Sequence, residues 1–137
     1  MEDVIEELRE RALDVSVPLE LPDEDLLIEV EEQLLVPLPY ELREFLLQVS
    51  DVIYGSIEPV TVTDPQSHTY LPEVAATAWA EGLPRELIPV CENNGENNGE
   101  YYGISEEGEV VRWADGEVTD DSWPSLWLWV RDVWLES

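Results

Sequence analysis

The sequence predicts an α+β fold, with a central, mainly antiparallel sheet and helices packed around it. Three observations lead there. Helical periodicity occupies most of residues 2–49, short apolar segments joined by turn residues occupy 87–113, and a strongly apolar helix follows. Helices first and strands in a run keep the two element types apart, which argues against an alternating α/β sheet. With 137 residues, 44% of them hydrophobic, one domain over 1–137 with a substantial core is expected.

The elements follow in order. Val4, Ile5, Leu8 and Ala12 recur at helical spacing, with Glu2, Glu6, Glu7 and Glu10 on the other faces. Glu7 and Arg11 stand in the favourable i, i+4 order, worth about 0.3–0.5 kcal/mol. Val15, Val17, Leu19 and Leu21 alternate, but Pro18 and Pro22 weaken a strand, so an extended segment over the core is predicted. Asp23 caps a second helix whose inner stripe is Leu27, Val30 and Leu34 and whose outer stripe is Asp25, Glu29 and Glu32. Pro37 and Pro39 end it, and Pro39 opens a third helix carrying Leu42, Phe45, Leu46 and Val49 inward.

Residues 52–57 read as a strand, and Glu58 to Thr69 as a loop. Leu71, Val74, Ala75, Ala78 and Trp79 predict a helix stopped by Gly82. Leu87–Cys91, Tyr101–Ile104 and Val110–Trp113 predict a meander, its last two strands joined at Glu106-Glu107-Gly108. Ser122 is the predicted cap of the closing helix, which carries Leu126, Trp127, Trp129, Val130, Val133, Trp134 and Leu135 on nearly every side. Such a helix is buried on more than one face.

Charge constrains function. Thirty-three acids against six basic residues, all of them Arg, give a formal charge of −27. A surface this negative repels nucleic acid and anionic membrane and attracts basic partners. Without Lys there is no Schiff base and no P-loop lysine. No window approaches the roughly 20 apolar residues of a membrane span, and Met1–Glu6 lacks a basic signal region, so a cytoplasmic protein is expected. Cys91 stands alone in the apolar run Leu87–Cys91, which reads as a buried, inert thiol.

The candidate sites have plain readings beside the functional ones. The tandem Glu-Asn-Asn-Gly of residues 92–99 supplies oxygen ligands for calcium, but its spacing misses the known loop pattern, and an elongated turn explains it. His68 beside Ser67 has no elbow motif and poor geometry for proton transfer; a hydrogen bond within its own loop is the simpler role. Carboxylate pairs are too frequent to single one out as a general acid. The six Trp read as core, with one or two in the closing helix available as interface anchors. No enzyme, cofactor or metal is therefore expected.

The ordering of motifs resembles a known family. The stretch Leu27-Ile28-Glu29-Val30 through Pro37-Leu38-Pro39-Tyr40 to Phe45-Leu46 resembles the helix, Leu-Pro, helix signature of the SUKH superfamily, in the branch related to the fungal cell-wall-assembly regulator. Leu87-Ile88-Pro89-Val90, the Asn/Gly turn, Gly99-Glu100-Tyr101-Tyr102 and Gly108-Glu109-Val110 resemble its second signature. Ser122-Trp123-Pro124-Ser125-Leu126 resembles its closing helix. The resemblance covers about 20–135, with an extra four-residue unit in the turn and Gly103 where an apolar residue is usual.

The resemblance implies an antiparallel sheet ringed by helices, with a concave face for binding proteins. It further implies either a bacterial immunity protein that neutralises a cognate toxin or a regulatory module without one. On this reading the expected contacts to a toxin or other basic protein are Asp51, Tyr54, Glu58, Asp64, His68, Tyr70, Glu100 and Trp113. A homodimer through the Trp-rich helix is the accompanying expectation for the regulatory alternative.

Overall fold

The four strands form a meander of β1 (Ile88–Asn93), β2 (Glu100–Ile104), β3 (Val110–Ala114) and β4 (Glu117–Trp123), in that spatial order and antiparallel throughout. The structure, a computed structural model, describes residues 2–12, 20–55, 57–93, 100–114 and 116–137. The predicted extended segment around Val15–Leu19 and most of the Asn/Gly turn lie outside the described residues.

Adjacent tyrosines on β2 show how the sheet serves two layers. Successive strand side chains point to opposite faces; Tyr101 pairs with Trp113, and Tyr102 with Arg112. Tyr101 and Trp113, with ring centroids 6.1 Å apart, face the end of α4 (Leu71–Glu81). There the Tyr101 hydroxyl donates to Glu81 at 2.7 Å. The α4 helix stops at Gly82, as expected, in the left-handed region at φ 117°, with the Trp113 ring beside it.

On the opposite face, Tyr102 meets Trp123 and Trp129 edge-on at 5.7 and 5.4 Å. Trp129 belongs to α5 (Leu126–Trp129), which widens into a π-helical turn over Val130–Trp134. Beyond it, Phe45 of α3 (Tyr40–Val49) contacts Trp127 and Trp134 at 6.2 and 5.7 Å. The closing helix is thus wedged between the sheet and α3. Trp127, Trp129 and Trp134 are all buried in this chain's own core, so that helix does not present them as interface anchors.

The α2 helix (Glu24–Leu34) buries Leu27, Val30 and Leu34 and packs beside α4, while Asp25, Glu29 and Glu32 face solvent. Its cap is as predicted: Asp23 accepts from the Leu26 amide at 2.9 Å. The α1 helix (Glu2–Arg11) is held by buried Leu8 and by Arg9, which pairs with Asp51 at 2.8 Å and bonds the Gln48 carbonyl. The Glu7–Arg11 pair forms at 2.8 Å.

Three expectations are corrected. Residues 52–57 form no strand among the described positions. Gly55 turns the chain at φ 69°, and the Tyr54 carbonyl accepts from the Trp134 indole at 3.0 Å instead of from a neighbouring strand. Pairing begins only at Pro59, opposite Cys91, with the Val60 amide donating to the Val90 carbonyl at 2.9 Å. Second, β4 exists although its sequence shows no apolar alternation. It is mostly exposed and held by backbone pairing to β3, with Trp123 as its packed end. Third, with Ser122 inside β4, the helix cap is Ser125, which accepts from the Leu128 amide at 3.2 Å.

Candidate functional site

The loop between Ile57 and Thr69 builds a cleft from parts that are distant in sequence. Its base is stitched by two backbone bonds of 2.8 Å, Thr61 amide to Thr69 carbonyl and Leu71 amide to Thr61 carbonyl. Its tip is an Asx turn in which Asp64 accepts from the Gln66 amide at 2.9 Å while its carbonyl accepts from the Ser67 amide at 3.0 Å. This framework holds Ile57–Pro59 and Ser67–Thr69 against Val52 and Ile53, enclosing about 170 Å³. The lining is mostly apolar. Three hydroxyls interrupt it, those of Thr61, Ser67 and Thr69, and at its edge the His68 Nε2 lies 2.5 Å from a Glu58 carboxylate oxygen.

The structure brings Glu58 and His68 together, with Asp64 on the same loop, and all three are exposed. The other five expected contacts have internal work. Asp51 holds α1 through Arg9. Tyr54, half-buried, donates its hydroxyl to the Leu135 carbonyl at 3.1 Å. Tyr70 is 7% exposed, and its hydroxyl accepts from Gln33 at 3.1 Å. Glu100 is 6% exposed and pairs with Arg112 at 3.2 Å; Trp113, at 4%, is sheet core. Tyr70, Glu100 and Trp113, buried in this way, offer a partner little surface in this conformation, while Asp51 and Tyr54 are partly exposed.

Sequence reasoning missed the cleft's walls. Val52, Ile53 and Ile57 read as strand residues, and Thr61 and Thr69 as ordinary loop. The available signal was the density of hydroxyls among the prolines of that loop. Cys91 lies behind it, fully buried, and burial pushes its thiol up to about 12, which makes it the inert thiol expected.

Surface charge is heavily unbalanced. Arg9, Arg11, Arg43, Arg112 and Arg131 are all committed to ion pairs with this chain's own carboxylates, and Arg85 stacks over the Trp79 ring at 4.6 Å. The large acid excess is left facing solvent. Among the described residues no cluster of three His, Cys, Asp or Glu side chains is placed to hold a metal. Nor is any described helix long and apolar enough to cross a membrane.

Fold and surface together define an acidic α+β domain with a preformed cleft, suited to binding. The chain belongs to the SMI1-KNR4 cell-wall family, whose SUKH_5 model matches residues 1–135. Membership supports a non-catalytic interaction domain. A crystal structure of a protein from Pseudomonas syringae pv. tomato is similar along the whole chain: 61% identical, TM-score 0.94, with 100% of each chain covered. No curated protein matches.

Proposed function

We propose that the protein is a cytoplasmic bacterial immunity domain that binds and neutralises a cognate toxin with a basic surface. The observation that carries this reading is the −27 net charge of a chain in which five of the six arginines are committed to internal ion pairs and the sixth, Arg85, stacks on Trp79. Such a field steers a basic protein toward the domain and raises its association rate, and it repels a second copy of the chain. The family and the bacterial source of the similar crystal structure support the same reading. The contact region is the Ile57–Thr69 loop, where Glu58, Asp64 and His68 are exposed around a preformed cleft. A toxin groove lined with Arg and Lys to hold phosphates accepts carboxylates in their place.

The test is capture from the native cell at low salt, followed by neutralisation of the captured protein's toxicity on co-expression. A basic toxin recovered in stoichiometric amount, with an association rate that falls as salt rises, is the expected result. Capture of no basic partner under these conditions refutes the reading. The cell-wall description of the family favours a second role, a regulatory interaction module with no toxin. That role is distinguished by a cell-wall phenotype on deletion in a strain without the toxin gene.

A further inference from the structure

We infer that the cleft beside Glu58 takes the side chain of a lysine from the basic partner: its stem between Val52, Ile53 and Ile57, its ammonium at Glu58 and the hydroxyl row. The inference rests on the binding role proposed above and adds the anchor residue. Volume sets the first condition. About 170 Å³ is far more than the roughly 10–15 Å³ that one water requires, and the walls are largely apolar, so water fills the cleft poorly while a methylene stem fits it.

Hydrogen-bond accounting sets the second condition. Thr61 and Thr69 hydroxyls are 2.8 Å apart, Ser67 and Thr69 hydroxyls are 2.8 Å apart, and the Thr69 amide donates to Ser67 Oγ at 3.2 Å. Three hydroxyls carry two lone pairs each. The two links between them and the amide use half of these acceptor positions. The unused ones and the Glu58 oxygen not engaged by His68 suit a donor-only group, which is what an ammonium is. A carboxylate ligand would meet Glu58 as a like charge, and a purely apolar one would leave the remaining acceptor positions unused.

Rigidity is the third condition. The loop base is doubly bonded at Thr61, the tip is fixed by Asp64, and Pro59 is seated against β1. A site ordered before binding loses less entropy when the ligand enters.

The probe is Nα-acetyl-lysine N-methylamide, titrated into the whole chain and followed by methyl and amide NMR. Saturable shifts at the Ile53 and Ile57 methyls and the Thr69 amide are expected. They should weaken by about two- to fivefold in Glu58→Gln, the size of an exposed ion pair. The norleucine analogue, with the same stem and no charge, should bind more weakly by a similar factor, and Glu32→Gln on α2 should leave binding unchanged. Shifts spread evenly over the acidic surface, or a Glu58→Gln variant that binds as well as the parent, would overturn the inference. Failure of the probe while a basic toxin still binds removes the anchor and leaves the proposed function standing. Probe binding without any toxin partner does the reverse.

Discussion

Leu35 occupies a backbone conformation that its side chain disfavours. It ends α2 in the left-handed region at φ 63° and is 81% exposed, so burial does not offset the cost. That conformation costs an L side chain roughly 1–2 kcal/mol. Leu35→Asn is expected to stabilise the fold by about 0.5–1 kcal/mol, because Asn tolerates this region, read as a higher urea midpoint at unchanged slope. At alkaline pH two buried acids matter. Cys91 titrates near 9.0 when unfolded and at about 12 when folded, and burial, then the Glu81 hydrogen bond, raises Tyr101 from 10.0. A raised folded pKa means that each contribution is complete below the unfolded value and is lost as pH climbs toward the folded one. Tyr101→Phe is therefore expected to flatten the decline of stability above pH 10 and, by deleting one hydrogen bond, to cost about 1 kcal/mol near neutrality. Stability measured across that pH range checks both parts. Inward residues such as Leu27, Phe45 and Leu46 were legible from spacing, whereas Trp113, expected at the surface, is core. The burial of Tyr70 and Glu100 was not legible, since each depends on a partner remote in sequence, Gln33 and Arg112.

Secondary structure divides by what holds each element. The helices α2, α3 and α4 were readable because apolar spacing and stop residues agree with the core they face. The β4 strand was not, because Glu117-Val118-Thr119-Asp120-Asp121 carries no burial pattern and its stability comes from the β3 backbone. An apolar run misled in the other direction at Val52-Ile53-Tyr54, where the Val52 amide bonds back to the Val49 carbonyl and the Tyr54 carbonyl serves the closing helix. The disputed cap gives a direct experiment. Ser125→Ala is expected to cost about 1 kcal/mol by releasing the Leu128 amide, whereas Ser122→Ala, on the exposed strand, should change stability by less than about 0.5 kcal/mol. Paired denaturation curves decide it, and the opposite ranking would return the cap to Ser122.

The whole molecule is governed by self-repulsion. Salt weakens the few ion pairs, yet it screens far more like-charge contacts, so repulsion decides the sign. Stability is expected to rise with sodium chloride from about 0.01 to 1 M, as the screening length contracts from about 30 to about 3 Å. A urea midpoint that fell over that range would show that the arginine pairs outweigh the surplus. The charge was fully legible in the composition. The cleft was not. It exists only where chain near residue 53 meets chain near residue 68, and no local pattern encodes that meeting.

The bonds from Trp134 and Leu135 back to Tyr54 bear on how the protein is made. During synthesis Val52 and Ile53 leave the ribosome long before the residues that fix their neighbour in place. The chain can pack its early helices while still attached, but one wall of the cleft stays unset until position 135 has emerged. A nascent chain stalled short of that point should hold α2 and α3 and still lack the finished wall of the cleft.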